Sequence, residues 1–233
     1  GSEVTQYCVI NNNATGRKFT LGHDSLKPVQ AAVNYELLKD IPSHVRLETG
    51  LDAFTHCLEA LLNCSRDTLV DSISEEGLRI AHNVLPKALD EYPSNELLEK
   101  LAALSLYGGT SISYNRTGFI HTLSVAFSKY TNMSHGLLNA SLLRYALNCS
   151  LPHYNGHLKR IVASMFGENI DCDKDALQKL LSWLDSIIGN YEFSFDCDLS
   201  EEKKHIVNRL MQDKGLPVVT YGGISDSLIS DVV

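Results

Sequence analysis

From about Ser43 onward, apolar residues recur every three or four positions, for example at Leu51, Phe54, Leu58 and Leu61. This period is typical of amphipathic helices and excludes an alternating strand pattern. After a first helix from about residue 43, the spacing predicts further helices at 67–91, 95–114, 118–129, 136–149, 153–166, 173–189, 200–213 and 225–232. The sequence therefore predicts a mainly α fold, with helices packed as in a bundle, over residues 43–233.

Residues 1–42 have a different pattern. Two β-rich runs, at 4–10 and 18–21, flank the turn-forming stretch 11–16, and together they predict a hairpin. Two strands alone are marginally stable in water, so the hairpin and its linker must either dock on the helices or belong to a larger sheet outside this sequence. An unpaired hairpin also leaves an exposed edge that invites a partner strand.

Charge and composition exclude several classes of protein. The chain has 28 acidic and 20 basic residues, which gives a net charge of −8. Its basic clusters are limited to the pairs Arg17–Lys18 and Lys203–Lys204. We therefore expect no nucleic-acid or membrane-surface partner. No apolar run reaches the ~20 residues of a membrane span, and no signal peptide opens the chain. The six cysteines are dispersed without a CxxC pair, which indicates a reducing, cytoplasmic location.

Asp52 and His56 form the first candidate pair of metal ligands. Four residues apart on a helix, they lie on one face within reach of a single cation. The helix is apolar around much of its circumference, so a carboxylate and an imidazole within it need a partner. In the alternative interpretation, Asp52 caps the helix start and His56 is a hydrogen-bonded core residue.

His121 and His135 supply two further imidazoles. Ser134 is a plausible N-cap for a helix that begins near His135, and Gly136 allows a close approach of the backbone. One Asp and three His without thiolate suit Fe(II) or Zn(II) with a position open for substrate or water, although spacing alone also allows unrelated surface or core histidines. Glu59 is interpreted as a supporting carboxylate or a solvated helix residue rather than a ligand.

These residues resemble a known family, the iron-dependent (group III) alcohol dehydrogenases, in their C-terminal domain. The resemblance runs from Glu3 to about Gly215 and is strongest at 49–60 and 121–143. It is carried by the pattern Thr49-Gly50-x-Asp52-Ala53-x-x-His56-x-x-Glu59-Ala60, by His121, and by Ser134-His135-Gly136 with Asn139-Ala140-x-Leu142-Leu143 downstream.

The resemblance implies a helical, dehydroquinate synthase-like C-terminal domain over residues 43–233, with residues 1–42 belonging to an α/β nucleotide-binding domain. It implies that Asp52, His56, His121 and His135 bind the metal. The implied activity is an alcohol dehydrogenase or aldehyde reductase in which the metal acts on the substrate oxygen and NAD(P)H transfers hydride.

The sequence departs from the family pattern in two respects. It carries no Gly-rich dinucleotide loop, so we expect a fragment, a split gene product, or a subunit completed by a partner chain that supplies the nucleotide domain. The alternative assembly is a homo-oligomer. Val125 stands where many members have another histidine.

The segment Asn115-Arg116-Thr117 resembles the same segment of the phosphonoacetaldehyde-reductase-like branch of the family. In that branch Arg116 would bind the anionic group of an aldehyde; the alternative is a surface arginine.

Two other functions remain open at this point. A domain that has lost its nucleotide partner would act as a non-catalytic interaction or oligomerisation module. A helical site of His and Asp ligands also suits a metal-dependent hydrolase, because a bound metal activates water. The motifs around His121 and His135 favour the dehydrogenase.

Overall fold

This computed structural model describes residues 1–12, 17–64 and 66–189, which contain seven α-helices, one β-hairpin and five short 3-10 segments. None of the helices in these ranges is both long enough and apolar enough to cross a membrane. The elements are β1 (Tyr7–Asn12), β2 (Arg17–Gly22), α1 (Ser43–Leu62), α2 (Thr68–Val84), α3 (Asn95–Asn115), α4 (Phe119–Phe127), α5 (His135–Ser150), α6 (His157–Phe166) and α7 (Asp173–Ile188).

The mainly α fold class is confirmed, with two helix boundaries shifted from the prediction. The helix predicted at 67–91 ends at Val84, because Pro86 lacks an amide hydrogen and turns the chain into a short 3-10 segment. The helix predicted at 153–166 begins only at His157, after Gly156 adopts a positive φ of 87°. The helices predicted at 200–213 and 225–232 lie outside the described residues.

Helix α1 is the centre of the packing. It contacts α2, α3 and α5, and its apolar residues Leu51, Phe54 and Leu58 are fully buried. Burying a side chain of this size contributes about 1.5–3 kcal/mol to folding. Because α1 is enclosed on several sides, any polar side chain that points from it into the interior must find partners on the surrounding helices.

Two glycines allow neighbouring helices to approach the α1 backbone closely. A Cβ atom at Gly108 of α3 would lie 2.8 Å from the carbonyl oxygen of Ala53. A Cβ atom at Gly136, in the first turn of α5, would overlap the carbonyl oxygen of Glu48 and lie 3.2 Å from the Asp52 nitrogen. The second contact brings the start of α5 against the turn of α1 that carries Asp52.

The predicted N-terminal hairpin is present. Strands β1 and β2 are antiparallel, with Tyr7 opposite Gly22 and Ile10 opposite Phe19. Val9, Ile10 and Leu21 are exposed to solvent. A two-stranded sheet with apolar residues on its surface suits a segment that packs against further structure.

We expect Gly136→Ala to destabilise the domain, because the added methyl group has no space unless α5 moves away from α1. Overpacking of this kind costs about 1–3 kcal/mol, which corresponds to several degrees in Tm at roughly 2–4 °C per kcal/mol for a domain of this size. Thermal unfolding followed by circular dichroism measures the change. The matched control is Gly22→Ala, where the nearest atoms belong to the half-buried Tyr7 side chain and not to a helix backbone. An unchanged Tm for Gly136→Ala would contradict the close approach.

Candidate metal centre

Asp52 and His56 project from the same face of α1, one helical turn apart. The distance between Asp52 Oδ1 and His56 Nε2 is 3.8 Å. Both residues are only partly accessible, and α1 continues for several residues on either side of them. The interpretation of Asp52 as a helix cap is wrong, because the residue lies in the middle of the helix.

His121 and His135 reach the same carboxylate from two other helices. His121 lies in the first turn of α4, and its Nε2 is 3.3 Å from Asp52 Oδ1. His135 is the first residue of α5, and its Nε2 is 3.6 Å from the same oxygen. The structure therefore brings together all four residues that the sequence analysis singled out as metal ligands, from three helices.

The distances to Asp52 Oδ1 are short enough for these side chains to share one metal ion. Two atoms that each form a bond of ~2.0–2.2 Å to one ion lie about 3–4 Å apart, depending on the coordination angle. The three imidazole nitrogens lie 3.3–3.8 Å from Asp52 Oδ1, and the candidate ligand atoms of Asp52, His56 and His121 all lie within 4.8 Å of one another. One carboxylate and three imidazoles are also a donor set that Fe(II) and Zn(II) accept.

Glu59 holds His121 in place. Its carboxylate is 2% exposed and accepts a hydrogen bond from His121 Nδ1 at 2.5 Å, which leaves Nε2 free to face Asp52. The other oxygen accepts from the Ile120 amide at 2.5 Å, so the same side chain fixes the start of α4. Glu59 is thus a supporting carboxylate and not a solvated residue, as metal-bound histidines commonly require.

Two contacting residues were missed by the sequence reasoning. Ser124 Oγ lies 3.1 Å from His135 Nδ1, and Ser124 is completely buried. Asn139 donates from Nδ2 to Asp52 Oδ1 at 2.8 Å. The available signal was spacing: Asn139 follows His135 by one helical turn, and Ser124 is a polar residue in an otherwise apolar stretch of α4.

Burial and neighbouring charges shift the pKa values of Asp52, His56 and His121. Burial raises the pKa of Asp52, but His56 and His121 outweigh burial and hold that pKa well below its usual range. Burial lowers the pKa of His56 to about 4 despite the nearby Asp52. Burial also acts to lower the pKa of His121, but Glu59 and Asp52 raise it to about 9. The two carboxylates thus favour a positive charge between them, which suits a cation.

Arg116 lies apart from this cluster at the end of α3. Its side chain is exposed, its φ is 62°, and its carbonyl oxygen accepts a hydrogen bond from Asn63, which follows α1. Asn63 is seven residues beyond His56, or about 10 Å along a helix at 1.5 Å per residue. The anion clamp at Arg116 stays a prediction.

Comparison with known proteins identifies the family. Residues 46–217 match the sequence profile described as "Fe-containing alcohol dehydrogenase family, C-terminal". The 1-propanol dehydrogenase PduQ of Salmonella typhimurium is 30% identical over 154 residues, which cover 65% of this chain and 42% of PduQ. The bifunctional aldehyde-alcohol dehydrogenase AdhE of Escherichia coli is 28% identical over 204 residues, which cover 80% of this chain and 23% of AdhE.

Solved structures show the same fold. An iron-containing alcohol dehydrogenase from Thermotoga maritima superposes with a TM-score of 0.81 at 23% identity, over 99% of this chain and 58% of that one. A 1,3-propanediol oxidoreductase superposes with a TM-score of 0.83 at 22% identity, over 98% of this chain and 61% of that one. At these identities the likeness concerns the fold.

The fold and the cluster of one Asp and three His define a helical domain built around a candidate metal site. The chain belongs to the iron-containing alcohol dehydrogenase family, and the matched region is its C-terminal domain. The chain spans less than two thirds of the length of the relatives described above. Assignment to the phosphonoacetaldehyde-reductase-like branch stays a prediction.

We expect Glu59→Gln to weaken binding of a divalent metal by about 10–100-fold, because the neutral amide no longer fixes the His121 ring by a charge-assisted hydrogen bond. Competition titration of Co(II) against a chromophoric chelator measures the affinity. The matched control is Glu99→Gln, an exposed position on α3. Equal affinity in Glu59→Gln and Glu99→Gln would show that Glu59 does not support the site.

Proposed function

We propose that this chain is the helical metal- and substrate-binding portion of an aldehyde reductase or alcohol dehydrogenase that uses NAD(P)H. The observation that carries the proposal is the convergence of Asp52, His56, His121 and His135 at one carboxylate oxygen. The proposed ligands are these four side chains, and the proposed metal is Fe(II) or Zn(II). When bound, such an ion supplies Lewis acid chemistry at an alcohol or carbonyl oxygen.

The exposure of the proposed ligand side chains supports an approach for substrate from one side of the cluster. The His135 side chain is 44% exposed and that of Asp52 27%, whereas the His121 side chain is 9% exposed. The cluster is therefore open on the side of His135 and closed on the side of Glu59. A small aldehyde or alcohol fits such a site, and an anionic aldehyde is the narrower substrate class that Arg116 would favour.

We further propose that residues 1–42 belong to the nucleotide-binding domain and residues 43–233 form the metal-binding domain. The exposed apolar residues of the hairpin, Val9, Ile10 and Leu21, support this division because they suit further packing. The sequence holds no Gly-rich dinucleotide loop. The nicotinamide cofactor would therefore be held by a domain outside these residues, on the same polypeptide or on a partner subunit. The dispersed cysteines support a reducing, cytoplasmic location.

Metal binding is tested first, without substrate. After anaerobic loading with Fe(II) or Zn(II), we expect about one metal per chain by elemental analysis, and loss of that metal in His56→Ala and in His135→Ala. The matched control is His44→Ala, an exposed histidine at the start of the same helix α1. A folded wild-type chain that retains no metal would favour the interaction module over the enzyme.

Hydride transfer is tested by joining the chain to a nucleotide-binding domain from PduQ. With metal and C4-deuterated NAD(P)H, we expect short aldehydes to give deuterated primary alcohols, detected by mass spectrometry, and His135→Ala to abolish this product. The positive control is the same PduQ nucleotide-binding domain joined in the same way to PduQ's own C-terminal domain. If that control is active, metal binding without deuterium transfer contradicts the proposal, and phosphoester hydrolysis by the loaded chain would support the hydrolase.

A further inference from the structure

Asn139 is the buried side chain in closest contact with the candidate ligand atom Asp52 Oδ1. It lies on α5 one turn after His135, so both side chains are on the same face of the helix. Its Nδ2 is 2.8 Å from Asp52 Oδ1, 3.1 Å from His121 Nε2 and 3.3 Å from His135 Nε2. One amide nitrogen therefore contacts three of the four proposed ligand atoms.

The chemistry of these neighbours decides which end of the amide faces the cluster. Asp52 Oδ1 can only accept when the carboxylate is ionised, so an amide oxygen at 2.8 Å would place two acceptors against each other. The contact with Asp52 therefore places the amide nitrogen of Asn139, and not its Oδ1, on the side of the cluster.

The other end of the same side chain has no such support. Asn139 is fully buried, and its Oδ1 has no hydrogen-bond partner among the described residues. A buried carbonyl group without a partner is unfavourable, and an apolar side chain of similar volume would avoid that cost. The amide at this position is therefore held for the hydrogens that it donates into the cluster, and packing alone gives no reason for it.

We propose that Asn139 is a positioning residue for the metal site, which holds the Asp52 carboxylate in the orientation that binds metal. This inference rests on the proposed metal site and assigns Asn139 no metal bond of its own. Asp52 is partly exposed, so its carboxylate is free to turn toward solvent unless a donor fixes it. Asn139 supplies that donor from α5, the helix that also carries His135.

The test compares two variants that lack the amide but differ in volume. Asn139→Ala leaves a small cavity, and Asn139→Leu fills nearly the same space as the amide, so a defect shared by both follows from the lost donor. Asn148→Ala is the matched control, because Asn148 is exposed on the same helix α5 and its side chain donates to the Arg144 carbonyl oxygen. Circular dichroism and Tm of the metal-free chains establish that each variant is folded.

Two readouts on the purified chain separate positioning from coordination. We expect the affinity for Co(II), measured by chelator competition, to fall about 10–100-fold in Asn139→Ala and in Asn139→Leu but not in Asn148→Ala. We also expect the visible absorption band of the Co(II)-saturated protein to keep its wavelength and intensity, because the four ligand atoms are the same.

Three results would overturn the inference, and each has its own meaning. Unchanged affinity in either folded Asn139 variant shows that the amide does not position Asp52. An altered intensity of the Co(II) band at saturation shows that the coordination sphere itself has changed, which contradicts a role confined to the orientation of Asp52. Failure of the wild-type chain itself to bind Co(II) refutes the metal site, and with it the role of Asn139, whereas binding by wild type with no loss in the variants refutes that role alone.

Discussion

Two carboxylates on the central helix α1 determine how the rest of the domain is arranged. Glu59 is almost completely buried, and Asp52 lies where three imidazoles converge. Ionised carboxylates in an apolar interior are unfavourable unless hydrogen bonds or positive charge compensate them. Helix α4 supplies His121 and two backbone amides to Glu59, and α5 supplies His135 and Asn139 to Asp52. The same contacts therefore pack α4 and α5 on α1 and bring the side chains of the site together.

Much of this arrangement could be predicted from the sequence because its signals are local. The three- and four-residue period revealed the helices, and the four-residue spacing of Asp52 and His56 placed them on one face. The sequence left two roles open for Glu59, and the contact of Asn139 with Asp52 was missed, since each depends on which helix packs opposite. The end of α2 was predicted too late because the apolar period continues past Pro86, where the backbone cannot remain α-helical.

The family relationship and the geometry explain different parts of the molecule. The relatives identify the domain, while the structure shows which side chains converge on Asp52 and which hydrogen bonds hold them there. Glu59 serves His121 and the α4 backbone at once, so its substitution has both structural and chemical consequences. The Ser124 side chain contacts one ring nitrogen of His135, whereas Glu59 contacts both a ring and the backbone of α4. Such differences are invisible in an alignment of ligand positions.

The distribution of the ligands along the chain has a consequence for the order of assembly. Only Asp52 and His56 are neighbours in sequence, whereas Asp52 and His121 are 69 residues apart, and Asp52 and Asn139 are 87 residues apart. An unfolded polypeptide therefore presents at most a weak two-ligand fragment, and the loop-closure entropy of the remainder must be overcome by helix packing. If the four residues bind metal as proposed, metal uptake would follow folding, and the ion would act as a crosslink between three helices whose stabilisation depends on its free concentration.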